Sequence, residues 1–415
     1  MKLLVLVHGY PPAVGGVEFA IRDLCERLVA DAGMEITVLT TDAYTNANFR
    51  QRGLPTIPID PAEERNGVLV RRFPVDTRWA PALRIAQGVA WRAHLPGNAR
   101  LRTLYQGPIS PGLREAARSL PADLILAASF PLNHLHYAFA REDGAPVVLF
   151  GAVHPWDRWG YERPDLLRLV RRAQATIALT ESEREWFLRH GAPAERLSVI
   201  PLGIDYAFPA PERSGEFRRR HAIPGDAFLV AYLGQQGSHK GIDTLMAGLP
   251  ELVRRVPQAW LAIAGAVTPY TPELRRLADA LPAPVRSRLV LAEGVDEVEK
   301  SALLEGSDVF ASPSRHESFG ITVLEAWAHR LPVVAGEGPA QRELLDGGRL
   351  GRLVPYGAAS PLVAVLAELA AAPEVRLQLG EAGHARLLER YTLDKVVGSY
   401  RVLFSRLLSG TQGRP

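Results

Sequence analysis

Of the 48 basic residues only four are lysines, Lys2, Lys240, Lys300 and Lys395; the rest of the positive charge is arginine. Cysteine is rarer still. The single Cys25 excludes an intrachain disulfide and fits a reducing compartment. It lies in an apolar-periodic stretch, so it reads as a core residue rather than a nucleophile. No stretch approaches the ~18–20 apolar residues of a membrane span. The opening run Leu3–Val7 has the length of a buried strand and is too short for a secretion leader. No Asp-x-Asp pair occurs, and His134 and His136 have no partner at metal-ligand spacing. The arginines are dispersed and no nucleic-acid-binding motif appears, so no nucleic-acid partner is expected. A net charge of +3 over 415 residues is mild. It suits an anionic ligand or surface without requiring either.

What is present is ordinary globular composition, 47% apolar and 22% charged, in a chain too long for one core. Short continuous apolar runs alternate with helical patterns. Strands are expected at Leu3–Val7, Glu35–Thr40, Val68–Arg72, Leu124–Ala127, Val147–Phe150, Thr176–Leu179 and Leu197–Ile200. The pattern restarts at Phe228–Leu233 and continues through Trp260–Ala264, Leu289–Leu291, Val309–Ala311 and Val333–Ala335. Continuous rather than alternating runs indicate strands covered on both faces, hence parallel sheets flanked by helices. The expected fold class is α/β, with two Rossmann-like βαβ domains. The proline-rich stretch Pro201–Glu216 reads as the linker. The expected partition is 1–205, 206–385, and a closing helix 386–415 packing back on the first domain.

Four segments carry chemistry. Ser312-Pro-Ser-Arg-His-Glu-Ser-Phe-Gly-Ile-Thr-Val-Leu-Glu325 follows a strand and opens a helix near Gly320. It offers two carboxylates, Glu317 and Glu325, on either side of a helix N-terminus whose free N–H groups suit a phosphate. Carboxylates accept hydrogen bonds from sugar hydroxyls. Leu233-Gly-Gln-Gln-Gly-Ser-His-Lys-Gly241 is a glycine-rich βα turn carrying Lys240, a point charge suited to a diphosphate, without the spacing of a Walker A loop. Gly15 and Gly16 precede the first helix and would make an anion-accepting turn. His154 stands just past a strand end, where open α/β sheets place ligands. Each segment also reads as a plain turn, a solvated charge or a structural histidine.

Taken in order, these segments resemble the retaining glycosyltransferases of family 4, with the GT-B fold and its central cleft. The resemblance runs from Tyr10-Pro-Pro…Gly15-Gly-Val-Glu18 through Val199-Ile-Pro-Leu-Gly-Ile-Asp205 and Lys240-Gly241. It continues through Ser312-Pro-Ser…Glu317-Ser-Phe-Gly…Glu325-Ala, Leu331-Pro-Val-Val334 and Gly351-Arg-Leu-Val354. It implies that Glu317 binds donor-sugar hydroxyls near the anomeric centre, Glu325 the ribose, and Lys240 the diphosphate. It implies that backbone at Phe319, Gly320 and Ile321 contacts the phosphates, that Gly15 and Gly16 close on the donor, and that His154 lies beside the transferring sugar. Two positions depart from the family. Gln235 stands where arginine is usual, removing a charge-assisted contact to the diphosphate. Glycine is usual near Arg330, at the end of the Glu325 helix.

The implied reaction is metal-independent transfer from a nucleotide-diphosphate sugar, UDP- or GDP-linked, to a hydroxyl acceptor that is a glycan, lipid-linked or a small molecule. No cofactor and no metal are expected. A nucleotide-sugar epimerase on the same fold, or an inactive binding module motivated by Gln235, are the competing readings. The stretch from Arg78 to Arg102 mixes tryptophan with arginine. It reads as a solvated basic helix or as peripheral membrane contact. The expected location is cytoplasmic, at the inner membrane face if that contact exists.

Overall fold

The computed structural model describes residues 1–61, 63–205 and 215–411. It divides into two compact units, Met1–Leu202 with Leu393–Pro415, and Gly203–Thr392.

The first unit holds an eight-stranded sheet. In chain order its strands are β1 (Lys2–Leu6), β2 (Glu35–Thr41), β3 (Glu64–Arg65), β4 (Val68–Phe73), β5 (Leu124–Ala127), β6 (Val147–Phe150), β7 (Ala175–Ala178) and β8 (Leu197–Val199). The spatial order is β3-β4-β2-β1-β5-β6-β7-β8. All pairs are parallel except the β3–β4 hairpin. β5, β6 and β7 are buried at every residue, which is why their sequences do not alternate. Helices α1 (Gly16–Ala32), α2 (Ala80–Arg92) and α3 (Asn98–Gln106) belong to this unit. The closing helix Leu393–Thr411 packs on α1, with Arg27 paired to Asp394 at 3.0 Å.

The second unit holds six parallel strands: β9 (Phe228–Leu233), β10 (Ala259–Gly265), β11 (Leu289–Glu293), β12 (Val309–Ser312), β13 (Val333–Gly336) and β14 (Arg352–Val354). Their order is β11-β10-β9-β12-β13-β14. In each sheet the strand order reverses once beside the unit's first strand, between β1 and β5 and between β9 and β12. In open α/β sheets ligands bind at the carboxyl ends of the strands at such reversals.

Every strand expected from the sequence is present to within about a residue or two at its ends. β3, only two residues long, and the three-residue edge strand β14 were not foreseen. The chain crosses between units at Leu202–Gly203 and Thr392–Leu393, rather than after 205 and 385. The helix Pro373–Arg390 stays with the second unit because it is keyed into it. A Cβ at Gly383 would lie 2.2 Å from the Trp327 ring, and His384 Nδ1 lies 3.0 Å from the Trp327 carbonyl. Within the second unit the incoming and outgoing segments pair: Ile204 N–H donates to the Tyr391 carbonyl at 3.1 Å, and Ile204 bridges Thr392. Most of the expected linker, residues 206–214, lies outside the described residues.

Candidate functional site

Two loops leave the sheet of the second unit at its reversal. After β9 the chain passes Gly234, Gln235, Gln236 and Gly237, makes one turn at Ser238–Lys240, and enters the helix Ile242–Arg255. After β12 it runs through Pro313 to Gly320 and enters the helix Ile321–Ala328. The loops are fastened together. Arg315 N–H donates to the His239 carbonyl at 2.8 Å, and Ser314 Oγ lies 3.4 Å from the Lys240 carbonyl. Gly241 has φ 70°, and a Cβ there would sit 2.3 Å from the Pro313 carbonyl oxygen. Only glycine allows that approach.

This fastening brings Lys240 Nζ to 2.7 Å from Glu317 Oε1, with each side chain 18% exposed. Burial alone would raise the Glu317 carboxyl. The Lys240 charge, hydrogen bonds from Lys240 and Ser314, and the nearby His239 outweigh it, so the group ionises below its ordinary 4.5. Burial and then the Lys240 charge lower His239, against a smaller opposing pull from Glu317. Burial and the Glu317 charge push the Tyr232 phenol well up; its hydroxyl donates to the Gln235 carbonyl at 3.1 Å. A carboxyl lowered by folding stabilises the fold fully above its unfolded value, and that contribution is lost as pH falls through the folded value. Thermal melts of wild type and Glu317→Gln from pH 6 to 3 should therefore show a gap that closes below about pH 4.5. A gap independent of pH would contradict this.

Glu325 is held separately. Lys300 Nζ lies 2.7 Å from Glu325 Oε1 and 2.6 Å from Glu297 Oε2. Burial would lower the Lys300 ammonium, but Glu325 and Glu297 raise it overall. His329 is pushed down to about 4 by burial and then by the Lys300 charge. The two carboxylates of the motif thus each meet one of the four lysines. Phe319 is buried edge-on to Tyr391 at 5.8 Å, leaving its backbone as the part available to a ligand. Gly320, at φ 112°, starts a helix with no side-chain cap, so the Ile321 end presents backbone N–H groups. Gln235 is exposed. Its neighbour Gln236 takes hydrogen bonds from the Thr268 and Thr271 hydroxyls.

In the first unit the reversal carries a group the sequence reading passed over. His8, beyond β1, places Nδ1 2.6 Å from Ser129 Oγ, beyond β5, and Nε2 3.1 Å from Glu18 Oε1. Ser129 holds φ 73°, uncommon for a residue with a side chain. This serine–histidine–glutamate chain fixes the imidazole at the strand ends and can hold or pass a proton. Glu18 also covers Gly15, where a Cβ would come within 2.3 Å of its Oε2. Burial would raise its carboxyl, but His8 and its own backbone N–H bring it below the ordinary value. The positive end of α1, expected to be an open anion seat, therefore already faces a carboxylate. Nothing lies within 4 Å of a Cβ built at Gly16, so the close fit belongs to Gly15.

His154 lies past β6 with its ring 4.9 Å from Trp156 and 5.5 Å, edge-on, from Tyr161. Its loop is pinned by buried Glu183, which accepts from Val153 N–H at 2.6 Å. His8 had no local motif to mark it. Lys300 had a signal, its membership of a set of four lysines. Among the described residues no group of three or more His, Cys, Asp or Glu side chains is placed to hold a metal ion. No described helix is long and apolar enough to cross a membrane.

Two family models match the chain. Residues 15–203 match the glycosyl transferase 4-like domain and residues 214–386 match the glycosyl transferases group 1. Among curated proteins, a GDP-mannose-dependent alpha-(1-6)-phosphatidylinositol monomannoside mannosyltransferase of Mycolicibacterium smegmatis is 27% identical over 402 residues, 94% of each chain. A D-inositol 3-phosphate glycosyltransferase of Kineococcus radiotolerans is 30% identical over 269 residues, 60% of each chain. Among solved structures, Anabaena HepE in complex with UDP and glucose matches with TM-score 0.69 and 18% identity over 98% of this chain and 100% of that one. Sucrose-phosphate synthase from Thermosynechococcus elongatus matches with TM-score 0.74 and 19% identity over 99% of both.

Proposed function

Because the chain belongs to the family 4 glycosyltransferases of the GT-B fold, we propose that it moves a sugar, with retention of configuration, from a nucleotide-diphosphate sugar to a hydroxyl acceptor. The observation that carries this reading is the Lys240–Glu317 pair at the carboxyl ends of β9 and β12. The bond between the anomeric carbon and the phosphate oxygen breaks, a bond to the acceptor oxygen forms, and the acceptor's proton passes to the departing phosphate. The departing diphosphate gains negative charge. Lys240 and the N–H groups from Phe319 to Ile321 are the preorganised donors that meet it, so the chemistry needs no metal ion. Glu317 then exchanges part of its lysine contact for sugar hydroxyls, and Glu325, oriented by Lys300, takes the ribose. Gln235 contributes a neutral contact where a guanidinium would add charge. His154 stands by the transferring sugar.

The donor is UDP- or GDP-linked; a UDP-bound neighbour and a GDP-mannose-dependent relative support one each. The acceptor is a hydroxyl of a glycan, a lipid-linked sugar or a small polyol, as the relatives' names suggest. Transferase names among the relatives favour transfer over epimerisation. A cytoplasmic reaction belongs to this reading, since a single cysteine is compatible with a reducing compartment. Calorimetric titration with UDP and GDP in the presence of EDTA tests the donor site. One nucleotide should bind at least about tenfold more tightly than the other, a difference of about 1.4 kcal/mol. Binding of neither, or only without EDTA, would overturn the reading.

A further inference from the structure

We propose that the outward face of α2 docks on an anionic lipid bilayer. A surface helix ordinarily turns its apolar stripe inward. α2 does the reverse. Its buried residues are Ala80 and Ala90, whereas Ile85 is 69% and Val89 56% exposed. These two are four apart and stand on one side of the helix. Exposed Ala82 and Ala86 extend that side. Exposed Trp79 precedes this side in the chain, and exposed Trp91 and Leu95 follow it. This is a contiguous apolar strip rather than scattered single residues.

Along the chain, the segment that carries the strip has charge of one sign. From Thr77 to Arg114 the sequence holds six arginines and no aspartate or glutamate. Some of these arginines are engaged inside the fold. Arg102 lies over the Trp91 ring at 4.4 Å and donates to the Trp159 carbonyl at 2.7 Å, so it braces Trp91 at the surface. Arg100 reaches Asp165 at 3.8 Å and Arg78 reaches Asp76 at 2.8 Å. Arg84 and Arg92 are exposed on α2 itself. Apolar side chains that insert, tryptophans at both ends and arginines beside them suit an anionic headgroup region. A second copy of the chain fits less well, because a twofold contact would set this arginine-rich face against itself.

The inference is independent of the donor chemistry, and its test contains no donor. The full chain is sedimented with phosphatidylcholine vesicles with and without phosphatidylglycerol. Binding should be at least about tenfold stronger with phosphatidylglycerol and should weaken with salt. The double substitution Ile85→Glu/Val89→Glu should reduce it at least about tenfold, with circular dichroism and nucleotide binding unchanged. Absence of binding to anionic vesicles would overturn the proposal, as would equal sedimentation of variant and wild type. So would a concentration-dependent dimer that the double substitution abolishes.

Discussion

Replacing Lys240 with alanine is expected to lower kcat/KM for release of nucleotide diphosphate by about a hundred- to a thousandfold. The ammonium is held at 2.7 Å from Glu317 by two loops that are themselves fastened together, so it is in position before any ligand arrives. A preorganised charge costs no reorganisation as the leaving group forms, and that is the origin of the expected magnitude. The substitution also leaves Glu317 without its ammonium partner, which alone could disturb the loops. The double variant Lys240→Met/Glu317→Gln tests the second effect, on the fold alone. It removes the unpaired charge and should melt near wild type while remaining as inactive as the single variant. Recovery of activity in the double variant would assign Lys240 a structural role only. Wild-type turnover in Lys240→Ala would remove it from the chemistry.

Gly265→Ala should destabilise the protein by more than about 3 kcal/mol in urea unfolding. Gly265 ends β10 at φ 155°, and a Cβ there would lie 1.8 Å from the Gly234 carbonyl oxygen at the end of β9. Neither atom can yield without shifting a central strand and the loop that carries Lys240. Gly294 is the matched control. It also has positive φ, 70°, but nothing lies within 4 Å of its Cβ position. Its alanine variant should cost only the left-handed backbone penalty, about 1–2 kcal/mol. Equal, modest losses at both positions would show that the strand ends can separate freely.

The strands were legible because a sheet covered on both faces needs unbroken apolar runs, and Leu124–Ala127 or Phe228–Leu233 can hardly be read otherwise. The glutamate pair was legible as a motif, but its electrostatics were not. Nothing local announces that Lys300 on the helix Glu297–Glu305 reaches Glu325, or that Lys240 reaches Glu317 across 77 residues. The His8–Ser129 contact spans 121 residues and exists because β1 and β5 are neighbours. Such pairs follow from strand order, which the periodicity of a sequence does not contain. The same holds for α2. Its mixture of tryptophan and arginine was visible, but the side on which Ile85 and Val89 lie depends on how the helix is rotated against α3.

The pairing of Ile204 with Tyr391 and Thr392 has a consequence for biosynthesis. The second unit is a continuous insert, whose two ends meet, within a first unit that resumes only at Leu393. On the ribosome the insert can collapse as soon as its own residues emerge. The first unit must wait with the face of α1 uncovered until the last helix is made. The half of the molecule translated first is therefore the half completed last, and a chain stopped near residue 392 would release a finished insert on an unfinished host.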